Sequence, residues 1–381
     1  RAGRRFRHAR CILDHAGPPG QISYAGNYKY EFYPGGPLYR ITDPNGNIQK
    51  YTRYFDVTST PMDSLTYNYI TGTNKLNYVT DASQGWVNSQ KKIKNQSTGN
   101  YTYDEIGNLT ADVSENISSI VWNVYGKITD IYHSASTTNS NAKRVSYTYD
   151  AAGNRISQRT VNFGSSTVVY TWYVRDASGN VMATYRESVD STQSLANGSL
   201  SVSEQYIYGS SRLGVNNING ATVGTYFNWT HVPYTYKLSF QRGFKQYELT
   251  NHLGNVLTTV SDKKIGVTSN GTTFDYFKAD IINATDYFPF GMVSRSYYAG
   301  AQGYRYGFNG KENDRDVKGD GNQINFGGRV YDPRIGKFLS VDPMSRNYPG
   351  ESNYGFAGNS PVQFTDLDGN FKISPFFIKR Y

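Results

Sequence analysis

Tyr101-Thr102-Tyr103-Asp104-Glu105-Ile106-Gly107-Asn108-Leu109-Thr110 and Tyr147-Thr148-Tyr149-Asp150-Ala151-Ala152-Gly153-Asn154-Arg155-Ile156 are two copies of one pattern. In each, Tyr-x-Tyr sets two aromatic side chains on one face of an extended segment, because successive residues of a strand point to opposite sides. Asp-x-x-Gly-Asn then supplies a tight turn, with glycine free to take the positive φ that closes a hairpin. The chain returns antiparallel, so each copy predicts one β-hairpin. Weaker copies stand at residues 41–48, 174–181 and 249–256, a still weaker one at 67–72 and a degenerate one at 125–128. Such units cannot bury a face alone, and side by side they predict a long sheet that curls.

Composition agrees with an all-β chain of 381 residues. Thirty-five Tyr and 19 Phe suit a half-buried pleated surface, and 38 Gly supply turns. The net charge of +9 is an end effect: residues 1–26 carry +4 and residues 370–381 carry +3, leaving +2 for the 343 residues between. A nucleic-acid-binding body would carry its positive charge as a stripe on the fold, so this distribution argues against that class. Cys11 is alone, and His8, His15, His133, His231 and His252 have no ligand spacing, so no metal or cofactor is expected. His252 occupies a turn slot of a repeat and reads as a turn residue. Residues 311–321 form a charged, glycine-punctuated stretch that misses the calcium-loop spacing. No apolar run reaches the roughly 18 residues of a spanning helix, and no phosphate loop or nucleophile elbow appears.

Residues 331–369 have a different texture. Asp332-Pro333, Asp342-Pro343, Asp366 and Asp368 are interleaved there with Phe338, Tyr348, Tyr354, Phe356 and Phe364. Asp-Pro starts turns, so this segment predicts a series of corners pinned by aromatic rings. The stretch resembles the RHS-repeat-associated core of RHS and YD-repeat proteins. Upstream, Phe308-Asn309-Gly310-Lys311-Glu312 and residues 325–334 resemble its Bacteroidota-type version, and the Tyr-Asp hairpins independently resemble YD repeats.

The resemblance implies a spiral, shell-like sheet closed by the core. It divides the chain into an atypical basic arm (1–26), a YD-repeat sheet (27–300, least regular over 187–246), the core (301–369) and the start of a variable C-terminal segment (370–381). It implies a secreted or cell-surface carrier that encloses or presents its own C-terminal toxin or effector, works with secretion or surface partners, and has no membrane span. An extracellular adhesion module and a passive companion of a secretion machine stand as alternatives. A secretion signal is expected outside the given sequence.

In that family the core can cut its own chain with paired aspartates. Asp342 and Asp366, 24 residues apart, match them, with Asp332, Asp368, Arg329 and Arg334 in support and the cut expected around Gly369, Asn370 and Phe371. Two carboxylates sharing one proton would serve, one activating water and the other polarising the carbonyl. The second motif departs from the family's Asp-Pro-x-Gly-Leu, reading Asp366-Leu367-Asp368-Gly369-Asn370. The alternative is that all four aspartates cap turns.

Overall fold

The structure, a computed structural model, describes residues 21–374 apart from 26–27, 33–37, 55–60, 84–92, 94, 136–141, 166, 191–198, 219–241, 300–302 and 371. Two antiparallel sheets carry the fold, one of six strands from Gln21–Ala25 to Leu76–Asp81, the other of fourteen from Tyr101–Tyr103 to Val293–Tyr298. In both, spatial order is sequence order. A meander of this kind places alternate connections on the same rim, and the Asp/Asn-x-x-Gly turns all fall on one.

Their chemistry explains the motif. Asp104 Oδ1 accepts the amides of Gly107 at 2.8 Å and Asn108 at 2.7 Å, while Asn108 Nδ2 donates back to Asp104 Oδ2 at 2.9 Å. The same closed loop joins Asp150 to Asn154 and Asp176 to Asn180. Gly107 and Gly153 sit at φ +100° and +80°, where a Cβ is strained. The degenerate copy also forms, with Asn123 in the aspartate's place and Gly126 at φ +71°.

A second device locks one hairpin to the next. In six hairpins the residue just before the turn donates a side-chain hydrogen bond to a carbonyl in the preceding hairpin, that of the residue two past its turn glycine. Tyr69 bonds Ile48 O, Tyr149 bonds Ile128 O, Tyr208 bonds Val181 O and Tyr287 bonds Val256 O, at 2.7–3.1 Å. Tyr103 reaches the backbone of Leu76. Where the sequence departs from tyrosine, Trp122 Nε1 bonds Leu109 O at 2.7 Å and Arg175 bonds Arg155 O twice at 3.1 Å. Each carbonyl lies beside a strand end, where the ladder alone leaves acceptor capacity.

The sheets curl around residues 303–370. Tyr51 of the first sheet packs edge-on to Phe290, at the far end of the second, with ring centroids 5.2 Å apart. Both belong to one apolar core with Phe308, Phe326, Tyr331, Phe338 and Phe356, so the ends of the meander meet the same plug. Regular pairing reaches into two stretches that the sequence set apart. Gln21–Ala25, within the expected basic arm, pairs with Tyr28–Phe32, since its alternation suits a strand. Within 187–246, the stretch expected to be least regular, the described strands Ser199–Tyr208 and Arg212–Asn217 are neighbours in the large sheet, and residues 191–198 and 219–241 lie outside the described residues.

Candidate functional site

The plug meets the glycine rim at several of its turns. Tyr354 Oη donates to Gly107 O at 2.8 Å, Ser352 Oγ to Asn47 Oδ1 at 2.7 Å and Asn359 Nδ2 to Gly46 O at 2.6 Å. Farther round, the Asn309 amide donates to Asn255 Oδ1 at 2.7 Å. Here Asn251 replaces the turn aspartate, and His252 is exposed at the turn.

Within the plug, each motif aspartate splits its oxygens between two tasks. Asp342 Oδ1 accepts the Met344 amide at 2.7 Å, and Asp366 Oδ1 accepts those of Gly369 at 2.6 Å and Asp368 at 3.3 Å. These are turn-capping bonds. The Oδ2 atoms instead face Arg329, whose Nη2 stands 2.8 Å from Asp342 Oδ2 and 3.9 Å from Asp366 Oδ2. The chain between folds back through residues 353–361, with the Asp342 amide donating to Asn353 O at 2.9 Å and Gly358 at φ +59°.

Arg329 sets the chemistry of this site. Its guanidinium lies 3.7 Å from the Phe338 ring centroid, and its Nε donates to Gly369 O, the carbonyl of the Gly369–Asn370 peptide. The two carboxylates are therefore bridged by a cation and share no direct hydrogen bond among the described residues. Burial pushes Asp366 up to about 6, against the pull of Arg329 and of the Gly369 amide. Burial also lowers Arg329, opposed by Asp342 and then Asp366. Asp368 is one step out: its Oδ1 accepts the Asn370 amide at 2.9 Å and its carbonyl accepts the Gly328 amide at 2.7 Å. Phe371 lies outside the described residues.

Asp332 and Arg334, expected in support, are placed elsewhere. Arg334 Nη2 meets Asp332 Oδ2 at 2.6 Å, and Lys318 Nζ joins Asp332 at 2.8 Å to Asp112, on the large sheet, at 2.7 Å. Burial raises Asp332, yet Arg334 and Lys318 outweigh it and hold the carboxyl well below the usual range. The charged, glycine-punctuated residues 311–321 are likewise tied into the plug. They contain a short helix, Arg315–Lys318, and bury Glu312, Asp314 and Lys318. Asp314 takes a two-pronged bond from Arg155 at 2.9 and 2.8 Å, and Glu312 meets Arg305, which also reaches Glu204. The described residues hold no cluster of potential metal ligands, and no described helix is long and apolar enough to cross a membrane.

No protein-family profile matches the chain. Salivary gland surface protein 1 of Aedes aegypti is 24% identical over 334 residues, which are 87% of this chain and 8% of that protein. The crystal structure of TcdB2-TccC3-Cdc42 superposes with a TM-score of 0.51 at 15% identity, over 90% of this chain and 17% of that one. The chain thus spans a small fraction of each relative's length. The superposition shows that the all-β fold is shared with that structure.

Proposed function

We propose that the chain is the closing part of a secreted or surface RHS/YD-repeat carrier of Bacteroidota type, whose β-shell encloses or presents a C-terminal toxin or effector. The supporting observation is where the chain leaves the plug. Lys372–Ile373 pairs with Thr365–Asp366, so whatever follows departs from beside Arg329, Asp342 and Asp366. On this reading the site releases the cargo by hydrolysing the Gly369–Asn370 bond. Arg329 polarises the Gly369 carbonyl, Asp342 takes a proton from the attacking water, and protonated Asp366 gives one to the departing Asn370 nitrogen. The products are a Gly369 carboxylate and a free Asn370 amine.

The test is expression with the gene's own continuation past Tyr381. A released fragment beginning at Asn370, and its loss in Asp342→Asn and in Asp366→Asn, is expected. An uncut chain at every pH from 5 to 8 would leave the aspartates as turn caps and the plug as structure alone. The surface-protein name of the Aedes aegypti relative favours a second reading, an extracellular adhesion or interaction module. A cargo-sized domain in the continuation separates the two.

A further inference from the structure

Lys337 differs from the other buried cations of the fold. It lies on the plug strand Lys337–Phe338, opposite Asp332 across a hairpin and bridged on its other side to Gly355, and it is 4% exposed. Arg53, Arg155 and Lys318 are buried too, and each meets a carboxylate: Asp63 at 2.7 Å, Asp314 at 2.8 Å and Asp112 at 2.7 Å. Lys337 forms no ion pair and no side-chain hydrogen bond among the described residues.

The carboxylates on its two sides are engaged elsewhere. Asp332 gives Oδ1 to the Arg334 amide at 3.0 Å, and Oδ2 to Arg334 Nη2 at 2.6 Å and Lys318 Nζ at 2.8 Å. Asp43, in a turn of the six-stranded sheet, closes its own hairpin: Oδ1 accepts the amides of Asn45 at 3.0 Å and Asn47 at 2.8 Å, and Oδ2 accepts Asn47 Nδ2 at 3.2 Å and Gln49 Nε2 at 2.9 Å. What faces the amine is the Tyr69 ring, its centroid 5.0 Å from Nζ and its hydroxyl donated to Ile48 O. A ring face attracts an ammonium far less than water does, so burial here favours the neutral amine. Burial pushes Lys337 down to about 7, with Asp43 pulling the other way.

Its place in the fold gives this a consequence. No strand of the six-stranded sheet pairs with the fourteen-stranded one, and the plug supplies a seat for the smaller sheet. Tyr67 Oη donates to Ile335 O at 3.1 Å, Ser352 Oγ to Asn47 Oδ1 at 2.7 Å and Asn359 Nδ2 to Gly46 O at 2.6 Å. Lys337 stands among these contacts. A neutral amine rests against Tyr69 at little cost. An ammonium there demands water or a free carboxylate, and gaining either parts the plug strand from Tyr69 and the turn at residues 43–47.

We propose that Lys337 makes the seat of the six-stranded sheet on the plug pH-sensitive, firm while the amine is neutral and loosened by acid as it takes up a proton. The sign follows from linkage: lysine titrates near roughly 10.4 in an open chain, so Lys337 binds its proton less tightly when seated, and the seat firms as pH rises through about 7. The experiment is hydrogen exchange of the whole chain at pH 6 and pH 8, read by mass spectrometry. Residues 38–53 report the small sheet, and residues 143–162 of the large sheet serve as reference, which cancels the dependence of intrinsic exchange on pH. Relative protection of 38–53 should rise about tenfold from pH 6 to pH 8. Lys337→Met should be flat and better protected than the natural chain at pH 6, and Lys337→Arg, charged throughout, should stay weakly protected at both. Groups that titrate elsewhere are present in all three chains, so the difference belongs to Lys337. Unchanged relative protection in the natural chain, which needs no variant to fold, or the same rise in Lys337→Met, would overturn the proposal.

Discussion

Gly107→Ala separates two costs that the structure places on one atom. Gly107 sits at φ +100°, and a Cβ built there would lie 2.7 Å from both Tyr354 Oη and Val341 Cγ2 of the plug. Gly72, at φ +74° in another hairpin of the same rim, has nothing within 4 Å of the corresponding point. Gly72→Ala should therefore cost only the backbone term, about 1–2 kcal/mol. Gly107→Ala adds overpacking against the buried Tyr354 and the half-buried Val341, about 1–3 kcal/mol more, and it displaces the hydroxyl that bonds Gly107 O. Urea denaturation of the two variants, followed by tyrosine and tryptophan fluorescence, measures the difference. Equal losses would mean that the plug does not press on this turn, and the contact of plug with rim would be wrong at the point where it is most tightly specified.

Other substitutions probe the remaining interactions. Tyr149→Phe removes the hydroxyl that locks one hairpin to the next and should cost about 1 kcal/mol in the same denaturation assay. Asp314→Ala leaves the Arg155 guanidinium buried without its two-pronged partner, and a loss of about 3–5 kcal/mol is expected from the denaturation midpoint. Asp366, raised to about 6, binds its proton more tightly folded than unfolded, so stability should fall as pH rises from about 4 to 6 and level off above. Asp366→Asn should abolish that slope, gaining on the order of 2 kcal/mol at pH 7.5 and almost nothing at pH 4; equal gains at both pH values would refute burial as the cause.

The hairpins were legible because their code is local. Aspartate, glycine and asparagine within five residues contain every bond that the turn makes, and Tyr-x-Tyr fixes which face turns inward. The sequence paired Asp342 with Asp366 and offered Arg329 as a support, but that a single guanidinium faces both Oδ2 atoms leaves no trace in their spacing. The contacts between sheet and plug were missed altogether. Arg155 and Asp314 lie 159 residues apart, and a charged stretch such as 311–321 ordinarily reads as a solvated loop.

A signal for those contacts did exist in the repeat register. The position after Gly-Asn is Ile48, Leu109, Val181 or Val256 in other copies, with Ile128 in the degenerate one, a slot that faces inward in each. Arg155 occupies that slot and is 3% exposed. A guanidinium in an inward-facing place requires a buried counter-charge, since an unpaired one would cost several kcal/mol. Both kinds of contact run along the wall. Ile48, Leu65, Ile128, Ile131 and Val145 face the apolar core and Tyr206, Val215 and Val256 pack with Tyr304 and Tyr306. Between these apolar contacts the plug is pinned by ion pairs and hydrogen bonds, Lys318 to Asp112, Asp314 to Arg155, Asp316 to Gln158 and Arg305 to Glu204. Apolar contact tolerates sliding by a fraction of an ångström, but a two-pronged guanidinium–carboxylate pair does not. The polar contacts therefore fix the plug's orientation on the wall, with the Arg155–Asp314 pair the most exacting of them.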